Sequence, residues 1–349
     1  MENHKEVLEK ILSCAKKDGV SDIHINPNQP VRVRLNGELV PVGSSILSKD
    51  DLDKIIQLTM PSNSDFDLFK EHWEFDYSYS FGNYCRFRVN AFCNIAGSCA
   101  VFRKIPGEIP DLSTLNAPDI LSELANLAQG LVLVTGPTGS GKSTTLAAVI
   151  NKINQEKKKH ILTIEDPVEF VYKSDQSLIN QRQIDQSTKS FPNALKAALR
   201  EDPDIILVGE MRDPETIQLA LTAAETGHLV FSTLHTNNAY ESINRILDVF
   251  PAESKGLATS LLSTGLSAVI SQRLVPLKDG DGRHPIHEVL IATNAVRNLI
   301  REGNIPQIYS MIQVGKNHGM QTMLESAENA VAKGIVSDEI LSILKPAKE

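Results

Sequence analysis

The run Gly136-Pro137-Thr138-Gly139-Ser140-Gly141-Lys142-Ser143 constrains this chain more than any other stretch. It satisfies G-x-x-x-x-G-K-[ST] at every fixed position and directly follows the unbroken apolar segment LVLVT at 131–135. Such a segment before glycines reads as a buried strand, and the residues from Lys142 onward read as a helix. Glycines let the backbone wrap closely around an anion with its N–H groups pointing inward, and a helix N-terminus adds positive potential. Gly136, Pro137, Thr138, Gly139, Ser140, Gly141, Lys142, Ser143 and Thr144 are therefore the candidate nucleotide-binding residues. For ATP, Lys142 is expected at the β- and γ-phosphates and the Ser143 hydroxyl on Mg²⁺.

Beyond the loop, strand and helix patterns alternate. HILTI (160–164), IILV (205–208) and LVFSTL (229–234) read as strands, with helices expected at 193–200, 214–226 and 239–249. This alternation predicts an α/β unit with a parallel sheet and crossover helices. The rest reads as mostly helical, with strands near RLVPL and HEVLIA. Ligands of such sheets gather at the C-terminal strand ends. Glu210 closes DIILVGE at such an end, placed to orient and deprotonate a water and to meet the metal through its water shell. The Asp that often precedes this Glu is replaced by Gly209. Glu165 and Asp166 end the strand before; adjacent side chains point oppositely, and Glu165 is the candidate second acid. His228 and His235 bracket the strand LVFSTL, an odd spacing that puts them on opposite faces and argues against one shared metal. His235, at the C-terminal end, is placed to sense a γ-phosphate.

The first hundred residues have another style. SDIHI, VRVRL and ELVPV surround Asn36-Gly37, a hairpin signal, and FDYSYSF, YCRFRVNAF and SCAVFRKI form a second strand group after a helix near 49–60. We read residues 1–104 as a small α+β domain with one antiparallel sheet, the proline-rich 105–118 as a linker, and 119–349 as the α/β domain. Arg86 and Arg88 alternate with apolar residues on one strand face, and Arg103 follows on the next strand. An arginine reaching a phosphate site can raise a transfer rate by about 10³–10⁵; otherwise these residues make a solvated basic face. At 295–302, Val296, Leu299 and Ile300 form an apolar helix stripe that reads as core. Arg297 and Arg301, four apart and of like charge, suggest an acidic partner.

A formal net charge of −8 does not invite nucleic acid. No stretch approaches the roughly 20 apolar residues of a membrane span, and the N-terminus lacks a signal peptide's apolar core. The four cysteines include no C-x-x-C pair, which points away from zinc and disulfides and toward a soluble protein of a reducing compartment.

GPTGSGKSTT, ILTIEDPVEF, ALREDPDIILVGEMRDPETI and TAAETGHLVFSTLHT, in this order, resemble the four signature boxes of the secretion-ATPase superfamily, whose members drive type II secretion, type IV secretion and type IV pili. AVRNLIREGNIPQIYSMIQVG (295–315) is similar to the C-terminal helical motif of the pilus-retraction branch. The resemblance runs from about residue 20 to about 340. It implies a RecA-like P-loop NTPase domain preceded by a PAS-like domain, and a homo-hexameric ring at the cytoplasmic face of the bacterial inner membrane. It also implies an inner-membrane pilus platform protein as partner and leaves room for a paralogous motor ATPase. In such proteins the residue matching Glu210 is catalytic, Glu165, His228 and His235 take part, and N-domain arginines, here Arg88 and Arg103 with Arg86 beside them, reach the nucleotide. The long N-terminal extension and four-cysteine zinc element of assembly motors are missing from the pattern. Two rival readings are a motor of pilus assembly or secretion and a regulatory ring that hydrolyses little.

Overall fold

Strand β1 (Val20–Ile25) turns back into β2 (Pro30–Leu35), and Asn36-Gly37 turns β2 into β3 (Glu38–Ile46). Asn36 and Gly37 both take positive φ, 51° and 92°, so the two-residue loop twists with its strands and pairs Leu35 with Glu38. The computed structural model describes residues 4–82, 84–105, 107–278, 280 and 282–344. It divides into two compact units with the border between Glu108 and Ile109. Pro106 of the expected linker, and the outermost residues of both expected domains, lie outside the described residues.

In the first unit, β4 (Glu74–Phe81), β5 (Cys85–Asn94) and β6 (Gly97–Ile105) complete a six-stranded sheet of order β3-β2-β1-β6-β5-β4, with every neighbouring pair antiparallel. Helices α1 (His4–Ser13), α2 (Lys49–Thr59) and α3 (Asn63–His72) accompany it. Ile23, Val33, Phe87, Val89 and Phe102 share one core with Leu8 and Leu12 of α1 and Leu52, Ile55 and Ile56 of α2. The alternation places Arg34, Asp22, Arg103 and Arg88 in one cross-strand row, side by side on β2, β1, β6 and β5. Sequence reading did not anticipate α3. It buries only Phe69 fully, so it has little apolar periodicity, and Ser62 caps it by accepting from Asp65 N.

The second unit carries α4 (Ile120–Leu124), β7 (Gly130–Thr135), α5 (Lys142–Glu156), β8 (His160–Glu165), β9 (Leu178–Gln183), α6 (Phe191–Ala198), β10 (Ile205–Val208), α7 (Pro214–Glu225), β11 (Leu229–Leu234), α8 (Ala239–Asp248), α9 (Ala252–Gly265), β12 (Leu266–Pro276), β13 (Arg283–Ile291), α10 (Asn294–Arg301), α11 (Ile308–Val314), α12 (Met323–Ala332) and α13 (Glu339–Leu344). The sheet order is β13-β12-β7-β11-β10-β8-β9, parallel except for β13. Central β7 is buried throughout, because Leu131 and Leu133 feed one core while Val132 and Val134 feed the other. Leu112 and Ala117 pack against the core that holds Leu121, Leu124 and Val149.

The second unit also differs from the sequence reading. Edge strand β9 (LINQRQ) was not expected; it is mostly polar, and its sole fully buried side chain is Gln183. Strand β12 begins at Leu266, before RLVPL, because LSAVI suits a buried helix or strand equally. Among the described residues, Arg297 meets carbonyl oxygens where an acidic group was expected. Its guanidinium donates to Ser263 O (2.9 Å) and Thr264 O at the C-terminus of α9 and to Ala292 O (2.9 Å). Helix-end carbonyls supply the negative potential.

Burial pushes the His287 ring on β13 down to about 4, with His284 adding to the effect. The folded value lies below the unfolded one. Stability from a neutral His287 is therefore complete above about pH 6.5 and is lost as pH falls toward 4, by up to about 3 kcal/mol. Urea unfolding at pH 7, 5.5 and 4.5 should show His287→Gln losing less stability over this range than the parent; parallel losses would contradict it.

Candidate nucleotide site

Parallel strands bring their C-terminal ends to one edge of the sheet, and β7, β10 and β11 deliver the loop, Glu210 and His235 there. The loop's shape requires glycine. Gly136, Gly139 and Gly141 have φ of 144°, 78° and 87°, and a Cβ at Gly136 would stand 2.2 Å from the Gln272 carbonyl oxygen. Gln272 also braces the loop through its side chain: Nε2 donates to Ser140 O (2.6 Å), and Oε1 accepts from Thr145 Oγ1 (2.8 Å). No side chain caps α5 at Gly141, which leaves first-turn N–H groups available to an anion.

Lys142 is 8% exposed, and its ammonium donates to Gly136 O (2.9 Å) and Pro137 O (3.1 Å). Its Nζ lies 3.4 Å from His235 Nδ1. Burial lowers the Lys142 pKa, while the charges of Glu210 and Glu169 oppose the shift. Glu210 Oε1 lies 3.2 Å from His235 Nε2, and Oε2 pairs with Arg212 Nη2 at 2.7 Å. Burial alone would raise the Glu210 carboxyl, but Arg212 and His235 outweigh it and hold the pKa below the ordinary carboxylate value. Lys142, His235 and Glu210 thus form one contact chain at the mouth of the loop.

Glu165 is engaged differently. Its Oε1 accepts from Thr163 Oγ1 (2.6 Å) and Gln181 Nε2 (3.3 Å), and its carboxylate also takes the Glu169 N–H. Burial raises its pKa against these bonds. Gly209 explains the acid missing before Glu210: a Cβ there would lie 3.3 Å from Glu165 Cα and Ile164 O, flush against β8. His228 stands at the opposite end of β11, its Nδ1 3.0 Å from Ala223 O. Six residues of β11 separate the histidines, on the order of 20 Å of strand. The structure therefore brings His235 to the loop and leaves His228 at the far edge.

The arginines belong to the first unit. Arg103 Nε donates to Asp22 Oδ1 (2.8 Å), Arg86 Nη2 donates to Ser78 Oγ (2.7 Å), and exposed Arg88 pairs in register with Arg103. Ser143 is exposed and Thr144 half-buried at the start of α5; Pro137, Thr138 and Gly139 line the open side of the loop, and Ser140 is buried. An exposed Ser143 hydroxyl beside the loop fits a cation riding on phosphate. Both Glu210 oxygens already have partners, which fits contact with such an ion through water. Arg212 and Gln272 were missed in the sequence. Arg212 stands two residues after Glu210 within GEMRDPETI, whereas Gln272 lies in the part of β12 that carried no clear strand signal.

A parallel sheet with β7 between β11 and β12, and with a glycine loop leading into α5, defines a RecA-like phosphate-loop fold, here accompanied by a small α+β unit. The chain belongs to the family described as type II/IV secretion system protein, whose model matches residues 2–343. A twitching motility protein of Neisseria gonorrhoeae is 53% identical over 307 residues, covering 88% of this chain and 82% of that protein. The type IV pilus retraction ATPase PilT of Pseudomonas aeruginosa is 48% identical over 330 residues, 95% of each. A crystal structure of the pilus retraction motor PilT with bound ADP matches with a TM-score of 0.88 at 43% identity, over 97% of each chain. The expected fold class and family resemblance both hold.

Removing the Arg212 guanidinium leaves burial less opposed at Glu210. A ¹³C-detected carboxyl titration of Arg212→Ala should place the Glu210 pKa above that of the parent. An unchanged or lower value would show that the ion pair does not set it.

Proposed function

We propose that this chain is an ATP-hydrolysing motor subunit that powers type IV pilus retraction and hence twitching motility. The observation that carries the chemistry is the contact chain from Lys142 through His235 to Glu210 at the loop mouth. Membership of the secretion-ATPase family and near 50% identity to proteins named for twitching and retraction support the machine.

In this reading the loop from Gly136 to Thr144 wraps the triphosphate of ATP. The Lys142 ammonium exchanges its two loop carbonyls for phosphate oxygens. Ser143 holds Mg²⁺, which when bound neutralises phosphate charge. Glu210, kept ionised by Arg212 and His235, accepts the proton of the attacking water. His235 reports the γ-phosphate to its strand end, and Glu165 braces the β8 edge. Arg88 and Arg103, with Arg86 beside them, face the nucleotide of the same or a neighbouring subunit. His228 serves away from the loop. A PAS-like unit, residues 1–104, and a RecA-like unit, residues 119–349, turn about the 105–118 segment as phosphate is lost. Six copies form a ring at the cytoplasmic face of the inner membrane, where it grips a pilus platform protein alongside any paralogous motor. No helix among the described residues is long and apolar enough to cross a membrane, which agrees with attachment through partners.

Glu210→Gln should lower kcat by about 10²–10⁴ and leave ADP affinity near that of the parent. In the native cell the same substitution should leave abundant surface pili, counted by electron microscopy, with twitching lost. Bald cells would make the chain an assembly motor, and unchanged pili would move it to secretion or regulation.

A further inference from the structure

Glu288, in the middle of β13, is 3% exposed, and the chemistry above makes no use of it. Burying a carboxylate is costly unless donors replace its water. Two backbone groups do so: Ala239 N donates to Glu288 Oε1 at 2.8 Å, and Met323 N donates to the same carboxylate. Ala239 and Met323 are the first residues of α8 and α12, so the carboxylate stands between the positive ends of two helices.

Neither helix needs Glu288 as a cap. Asn238 caps α8 by accepting from Glu241 N (2.9 Å), and Thr322 and Glu325 form a complete capping box on α12. What the carboxylate adds is a bond from each helix to the sheet. Helix α8 starts four residues after His235, through the short connection Thr236-Asn237-Asn238. A row of hydroxyls underlies this connection: Thr236 Oγ1 to Ser242 Oγ (2.6 Å), Ser242 Oγ to Thr135 Oγ1 (3.5 Å) and Thr135 Oγ1 to Ser271 Oγ (2.8 Å). Ser271 is the cross-strand partner of Glu288, so the row and the carboxylate meet at the same sheet position.

We propose that Glu288 is a positioning residue for the reaction: by bonding the first turn of α8 to β13 it fixes the connection that holds His235 between Lys142 and Glu210, and through Met323 it ties that connection to α12. The proposal rests on the reading that His235 takes part in ATP hydrolysis. A capping role alone would affect helix stability; the positioning role acts through one histidine.

The test compares Glu288→Ala and Glu288→Gln in the full chain, each with and without His235→Ala. Without nucleotide, amide hydrogen exchange over residues 236–242 should quicken in Glu288→Ala and return most of the way in Glu288→Gln, whose amide oxygen can still accept. With ATP, Glu288→Ala should lower kcat on the order of tenfold with KM changed less than about twofold, and should lower it no further once His235 is alanine. An equal loss in both backgrounds, a shift confined to KM, or unchanged exchange would each overturn the proposal. If the alanine variant does not fold, Glu288→Gln carries the cycle, its smaller kcat loss vanishing in the His235→Ala background. Parental kcat in His235→Ala would overturn the underlying reading of His235, whereas the exchange result would still decide whether Glu288 holds the connection.

Discussion

The site depends on how closely β12 approaches the end of β7. The Gln272 carbonyl lies where a Cβ at position 136 would collide with it, so backbone meets backbone and only glycine fits. From there the Gln272 side chain reaches over the loop to Ser140 O and Thr145. Closed on that side, the loop leaves Lys142 almost wholly buried, and its ammonium must find acceptors within the loop itself. Those acceptors are carbonyls that a bound phosphate can replace.

Along the edge, burial and neighbouring charges act on each ionisable group in opposite directions. Burial works against the charged form of Lys142 and of Glu210 alike; Glu210 helps Lys142 stay charged, while Arg212 and His235 do the same for Glu210. Arg212 tips Glu210 firmly toward the carboxylate, the form able to accept a proton. Glu165 shows the contrasting outcome of the same residue type. Surrounded by Thr163, Gln181 and the Glu169 N–H, it braces the turn after β8.

The first unit makes opposite use of its two sheet faces. One is filled by Ile23, Val33, Phe87 and Phe102; the other sets Arg103 directly against Arg88, an arrangement that like charges resist. Asp22 relieves Arg103 but not Arg88. A local cost of this kind is expected where a surface serves function rather than stability, which supports the anion-facing role proposed for these arginines. Arg297 illustrates how readily such logic misleads in sequence alone, since its compensation came from the carbonyl end of α9.

By itself the sequence determined the features whose physics is local. The glycine loop, the Asn36-Gly37 turn, the buried strands β7, β10 and β11 and the position of Glu210 at a strand end all follow from neighbouring residues, and so were legible. Only the tertiary structure decided which of these groups meet. His235 touches Lys142 across 93 positions, Gln272 braces Ser140 across 132, and Glu288 holds Ala239 across 49. Strand β9 escaped for a related reason: its place comes from pairing with β8, since its own side chains are mostly polar. The two histidines make the division plain, for the sequence gives them the same residue type at the two ends of one strand. The direction of the parallel sheet brings one to the phosphate loop and holds the other about a strand's length away.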